Sequence, residues 1–253
     1  MGEHVAPTTP AKKKRSNIFW NIVGVVGELL ITFAIIVGLF SVWQLYWTTY
    51  EVAGQVSQTI ASYEEEHQPS KRALGEVRTD DPPAFDREVG DGEVYGLVHV
   101  PTWDWMKIPL AEGITSYVLD QGWAGHYDMT TQPGGVGNFS VAGHRRTYGN
   151  NFRWIDRLTQ GDKVVVEVDD RYLVYSMVSS EIIDATDPTQ MRVVAPVIDD
   201  VSWSETPTER WMTMTTCHPE YGNWQRYIVH LKFESWTPKD TGVPAELVDE
   251  PTN

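Results

Sequence analysis

Chemistry in this chain must begin at Cys217, its only cysteine. The thiol closes the strand-like run WMTMTTC (211–217) and directly precedes the loop HPEYGNWQ, where a side chain can meet solvent. Arg226 opens the next apolar run across that loop. A lone cysteine is often only a small core hydrophobe. A reactive one needs a thiolate, an acid–base partner and donors for a developing oxyanion. A guanidinium across the loop could stabilise a thiolate or an oxyanion.

The chain has seven histidines. His4 falls in the N-terminal tail and His67 in a polar linker, while His99 and His230 fall inside strand patterns and read as structural. His218 is next to Cys217, and neighbours in a strand point to opposite faces, so it is a poor partner unless the chain turns there. His126 (WAGHYDMT) and His144 (VAGHRRTYG) remain. His144 is preferred because it ends a strand-like run as Cys217 does, so that two strand ends at one barrel rim could bring imidazole and thiol together.

No Cys or His pair has the spacing of a compact metal site, and no metal or other cofactor is expected. One cysteine also excludes an intramolecular disulfide framework. The glycine-rich PGGVGN (133–138) lacks the Lys-Ser/Thr of a phosphate loop and reads as a turn. The formal net charge of −15 argues against a nucleic-acid partner, which would demand clustered cations.

The elements that must position these residues are mainly β. Runs at 94–100, 138–144, 163–168, 171–183, 211–217 and 226–236 are β-branched or aromatic and are punctuated by Gly, Pro, Asn and Asp. Asp169–Asp170 between two of them signals a hairpin. Helical turns fit 113–119 and 151–158. Many short strands with few helices predict a closed barrel. No internal repeat is present.

Ahead of the barrel, residues 1–17 carry the basic cluster Lys12, Lys13, Lys14 and Arg15. The stretch from Ile18 to about Trp43 is long and apolar enough for a bilayer-spanning helix, with only Asn21, Glu28 and Thr32 clearly polar as far as Phe40. Trp43, Tyr46, Trp47 and Tyr50 follow as an aromatic belt. Glu28 reads as a tolerated acid within the span. The run is too long for a signal-peptide core and no small-x-small site follows it, so an uncleaved anchor is expected, with the N-terminus cytoplasmic and the remainder outside the cell. Residues 44–93 read as an extracellular stalk: EVAGQVSQTIASYEEE could continue the helix, but TDDPPAF cannot be helical through its proline pair. Residues 238–253 are Pro- and acid-rich and read as a disordered tail.

These residues resemble the sortases, membrane-anchored cysteine transpeptidases of Gram-positive bacteria. TMTTC (213–217) is similar to the family's T-L-x-T-C signature, NFSVAGHR (138–145) to its N-x-x-x-A-G-H segment, and Arg226 to the arginine of its following strand. GLVHVPTWDWMKIPLAEGI resembles the opening strands, and LDQGWAGHYDMTTQPGGVGN the approach to the histidine. The likeness covers 94–236 and is strongest to class E sortases of actinobacteria. Met214 departs from the usual leucine, an apolar exchange with little expected effect.

The resemblance implies an eight-stranded sortase barrel over 94–237 and assigns roles. Cys217 would attack the Thr–Gly carbonyl of a C-terminal sorting signal, of LAXTG or LPXTG type, on a secreted protein. His144 would act as acid and then base, Arg226 would bind the substrate carbonyl or the oxyanion, and Thr216 would help form the oxyanion site. The thioester would pass to an amine of a lipid-linked peptidoglycan precursor, or to a pilin lysine in pilus-building relatives. An anchored thiol hydrolase would run the same acyl chemistry into water.

Overall fold

The computed structural model describes residues 18–69 and 71–251. The basic cluster Lys12–Arg15 and His4 lie outside them, as does the side chain of Tyr46. Helix α1 runs over Ile18–Glu66. Its Phe19–Trp43 portion, with a mean hydropathy of 2.5, is long and apolar enough to cross a membrane, and its side chains are exposed.

From Gln44 onward the chain forms a second unit. Eight strands close into a barrel: β1 (Val94–Val100), β2 (Met106–Glu112), β3 (Ala124–His126), β4 (Gly137–Ala142), β5 (Lys163–Val168), β6 (Arg171–Asp184), β7 (Arg210–His218) and β8 (Gln225–Pro238). Around the barrel the order is β1-β2-β3-β4-β7-β8-β6-β5, closed by the antiparallel pair β1/β5. This is the sheet class expected from the short β-rich runs. The Asp169–Asp170 turn joins β5 to β6 as an antiparallel hairpin. Helix α2 (Ser116–Leu119) and a 3-10 turn over Ile155–Arg157 occupy the two places where helical turns fit the sequence. Strands β2 and β3 were not legible by alternation. β2 carries Pro109, and β3 is only three residues long.

Alternation sorts the strands by face. Val164, Val166, Val168, Leu173, Tyr175, Met212, Met214, Val229 and Leu231 fill the barrel core with Trp103 and Phe139. Met214, in the place where leucine is usual, is fully buried there. Burying such side chains supplies roughly 1.5–3 kcal/mol apiece before entropy is charged against it.

The outer face of β1, β5 and β6 is also covered. The tail beyond Pro238, expected to be disordered, packs there instead: Val243 and Leu247 close a second cluster with Val165, Tyr172 and Val174. Composition misled because two of the tail's apolar residues, Val243 and Leu247, reach the barrel, and one of its acids, Glu250, is buried among cations. Glu250 accepts from His99 at 2.9 Å and pairs with Arg72 and Lys107, both at 3.1 Å. The segment read as a stalk is likewise engaged with this unit. The helix does continue to Glu66, and within it Val52 and Tyr63 are buried, with the Tyr63 hydroxyl donating to the Tyr95 carbonyl. Arg78 then pairs through its backbone with Trp236.

Candidate active site

Cys217 is the penultimate residue of β7, half-buried, and its register partner on antiparallel β8 is Arg226. On the other flank β7 runs parallel to β4, with Ala142 opposite Thr215. Continued for two residues, that register sets His144 level with Cys217. Strand spacing of roughly 4.8 Å therefore brings three chemically distinct side chains to one rim. The backbone holds the alignment past the end of β4: Gly143 N–H donates to the Thr215 carbonyl at 3.1 Å.

The Thr216 hydroxyl, expected to serve an oxyanion, donates instead to the Gly143 carbonyl at 2.6 Å. Thr216 is buried on the face opposite Cys217, as alternation along a strand requires. Its side chain pins the cysteine strand to the histidine segment.

His144 is partly exposed and its Nε2 lies 2.8 Å from Asp120 Oδ1. A carboxylate partner favours the tautomer with its proton on Nε2 and leaves Nδ1 outside that bond. The Tyr148 ring lies over the imidazole with centroids 5.3 Å apart. Asp120 escaped the sequence reading because it belongs to no motif; it ends the one-turn helix α2. The signal available was an acid after a helical turn and just before a glycine, which is too common to single out.

The Arg226 Nη1 donates to the carbonyls of Asn223 and Gln225, at 2.7 and 2.9 Å, so the guanidinium is held by its own loop. His218 is not aimed at the thiol. Its Nδ1 accepts from Arg145 Nη1 at 2.8 Å, and Arg145 also donates to Asp156 at 2.8 Å. Burial and the Arg145 charge hold the His218 imidazole below its usual range, consistent with a neutral acceptor. Arg146 adds a second tie, pairing with Glu220 and lying over the Tyr221 ring. The two arginines after His144 thus brace the loop after Cys217.

His126 and His230 are structural. His126 is fully buried, bonded to Glu112 at 2.9 Å and to the Thr131 carbonyl at 3.1 Å. His230 is buried against the Thr213 hydroxyl at 2.9 Å. Thr213 in turn donates to Asn138, whose amide donates to the carbonyls of Val193 and Ala195. This network fastens the connection between β6 and β7 against the strands that carry the site. Among the described residues no group of three or more His, Cys, Asp or Glu is placed to hold a metal.

A family model described as a sortase domain matches residues 98–234. Sortase SrtE1 of Streptomyces coelicolor is 36% identical over 88% of this chain, which spans 60% of that relative's length. Among solved structures, the SrtA sortase of Actinomyces oris is 42% identical, with a TM-score of 0.64 over 70% of this chain and 99% of that one. Sortase E1 of Streptomyces coelicolor, solved with a tripeptide in its active site, is 38% identical, with a TM-score of 0.55 over 63% of this chain and 99% of that one. The chain belongs to the sortase family of cysteine transpeptidases and is most similar to class E.

Proposed function

We propose that this sortase cleaves a C-terminal sorting signal between Thr and Gly and joins the new carboxyl end to an amine of the cell wall. The observation that carries the reading is the register placing Cys217 opposite Arg226 and level with His144. The Cys217 thiol passes its proton to His144 as its Sγ attacks the threonine carbonyl carbon. The oxyanion that forms is met by Arg226, whose Nη2 and Nε donors are not used by the loop carbonyls. The intermediate collapses as the C–N bond breaks, and His144 gives the leaving amine a proton. An acceptor amine then attacks the thioester, His144 takes up its proton, and the Cys217 sulfur leaves.

Asp120 keeps the imidazole oriented through both halves of the cycle. Thr216 acts through the backbone, by holding Gly143. The helix Phe19–Trp43 serves as a single-pass anchor, with the N-terminus cytoplasmic and the barrel outside the cell. Substrates are secreted proteins bearing LAXTG-like signals, and the acceptor is a lipid-linked peptidoglycan precursor.

The test uses the full chain in detergent micelles with LAXTG and LPXTG peptides and an amine. The expected result is a thioester on Cys217, seen by mass spectrometry, and an amide product. A Cys217-independent product, or none with either peptide, would overturn the reading. A product made only by water would reassign the protein as a thiol hydrolase.

A further inference from the structure

The segment after His144 is cationic in a chain of net charge −15: Arg145, Arg146, Arg153 and Arg157 lie close together with only Asp156 among them. From Arg72 to Lys239, every described Lys and Arg has a carboxylate within ion-pair distance except Arg153, Arg157 and Arg226. Arg226 has a chemical reason to stay unpaired, since it awaits an oxyanion. The other two exceptions call for a reason of the same kind.

Their guanidinium carbons lie 3.9 and 4.8 Å from the Trp154 ring centroid. The nearby acid, Asp156, is taken by Arg145. The Nε of Arg153 is buried with no acceptor. Burial, with the positive charges of Arg146 and Arg157, pushes the Arg153 pKa down, so the cluster is held together against its own repulsion. It is also close to the chemistry in the chain: Phe152 N–H donates to the His144 carbonyl at 3.0 Å, and Arg153 follows directly. Thr147, Tyr148 and Asn150 all have positive φ, at 69, 42 and 51°, a strained backbone that keeps this loop folded back on the histidine.

A planar guanidinium fork suits carboxylate and phosphate oxygens. The acyl donor is met from the Arg226 flank of Cys217, so the incoming amine must arrive on the His144 flank, where its proton is taken. We propose that Arg153 and Arg157 form an oxyanion subsite for the acceptor, so that the amine resolving the thioester is carried on a molecule whose phosphate or carboxylate docks there. The proposal rests on the transpeptidase reading above.

The experiment loads the full chain with an LAXTG peptide, confirms the thioester, and resolves it with hexylamine, aminohexyl phosphate or aminohexanoate. A charge-assisted pair of this kind is worth about tenfold or more in kcat/KM. The anionic amines should therefore outrun hexylamine by about that factor, and which of the two leads identifies phosphate or carboxylate as the natural anchor. Arg153→Gln/Arg157→Gln should bring the ratio near unity, and Arg153→Lys should keep part of it. Because a ratio is read, a partly folded variant does not mimic the result. Calorimetry with inorganic diphosphate tests the subsite without turnover, so that failure of thioester formation indicts only the parent reading. No preference in the unmodified chain, or a preference surviving in the double variant, overturns the proposal. So does a variant that loses only its binding to phosphatidylglycerol vesicles, which would assign the cluster to a membrane surface.

Discussion

The rim around Cys217 and the outer barrel face around His99 are both built from ionisable side chains on strands, and they use them in opposite ways. At the rim, His144 and Asp120 are partly exposed, Arg226 is held through one nitrogen, and Cys217 is half-buried. Each keeps bonding capacity for a ligand. On the outer face, His99 donates to Glu167 at 2.7 Å and to Glu250 at 2.9 Å, Lys239 pairs with Glu167 at 2.7 Å, and all four are buried. That capacity is spent internally. Groups left incomplete are available for chemistry, whereas groups that complete one another hold chain segments in place.

The sharpest way to break this contrast is at the nucleophile. Cys217→Ala and His144→Ala should each lower turnover by at least about 10³-fold, given what acid–base and nucleophilic groups supply. Thermal midpoints should move little, because neither side chain fills the core. A large fall in melting temperature together with the loss of activity would mean that the rim is structural after all. Arg226→Ala comes next, with a loss of about 10²–10³ in kcat, the worth of one oxyanion donor. Near-normal turnover in that variant would remove Arg226 from the mechanism.

The opposite signature belongs to the tail. Glu250→Ala leaves His99, Lys107 and Arg72 facing one another without their shared carboxylate. Removing one partner of a buried pair costs about 3–5 kcal/mol. At roughly 2–4 °C per kcal/mol for a chain of this size, the melting midpoint should fall by about 6–20 °C. Activity per folded molecule should persist at temperatures well below that midpoint. An unchanged melting curve would show that the tail's contacts add nothing.

A smaller effect, back at the rim, tests how the histidine is held. Asp120→Asn keeps the shape but removes the charge facing Nε2, so kcat should fall by about tenfold, part of the 10²–10⁴ that acid–base catalysis supplies. The pH–rate profile should shift with it, and Asp120→Glu should recover part of the loss. A change confined to KM would make Asp120 a substrate contact instead.

The two regions also differ in how far the sequence alone revealed them. The rim stood out in the sequence because Cys217, His144 and Arg226 each fall at the end of a strand-like run. The closed barrel followed from β-branched runs between turn residues. Asp120 was missed because its role comes from α2 folding against the histidine loop, a tertiary fact with no local pattern. The tail was misread because proline and acid content signals disorder only when the acids stay in water. Glu250 instead meets His99, some 150 residues away, as the structure pairs them. The Thr216 hydroxyl, expected at an oxyanion site, is turned inward by strand alternation and donates to the Gly143 carbonyl.

The effect most diagnostic of the outer face is its pH dependence. Burial alone would lower the His99 pKa, but hydrogen bonds from its ring to Glu167 and Glu250 outweigh it and carry the value up to about 9. Both carboxylates are correspondingly held below their usual range by the same contacts, against the burial that would raise them. A pKa raised on folding contributes stability fully below the unfolded value of about 6.5 and loses it as pH climbs through the folded value. Stability should therefore decline between about pH 6.5 and 9, with a slope no steeper than about 1.4 kcal/mol per pH unit, the limit for one proton. The other groups facing His99 do not obscure this window. Lys107 is shifted upward by its carboxylates, and the Tyr172 phenol is pushed far above its ordinary range by burial and by Glu167. His99→Gln should flatten the alkaline limb in denaturant titrations run across that range, while the acid limb set by Glu167 and Glu250 moves to higher pH. An alkaline limb of unchanged slope in His99→Gln would mean that another group titrates there and that His99 is not the charge that clasps the tail.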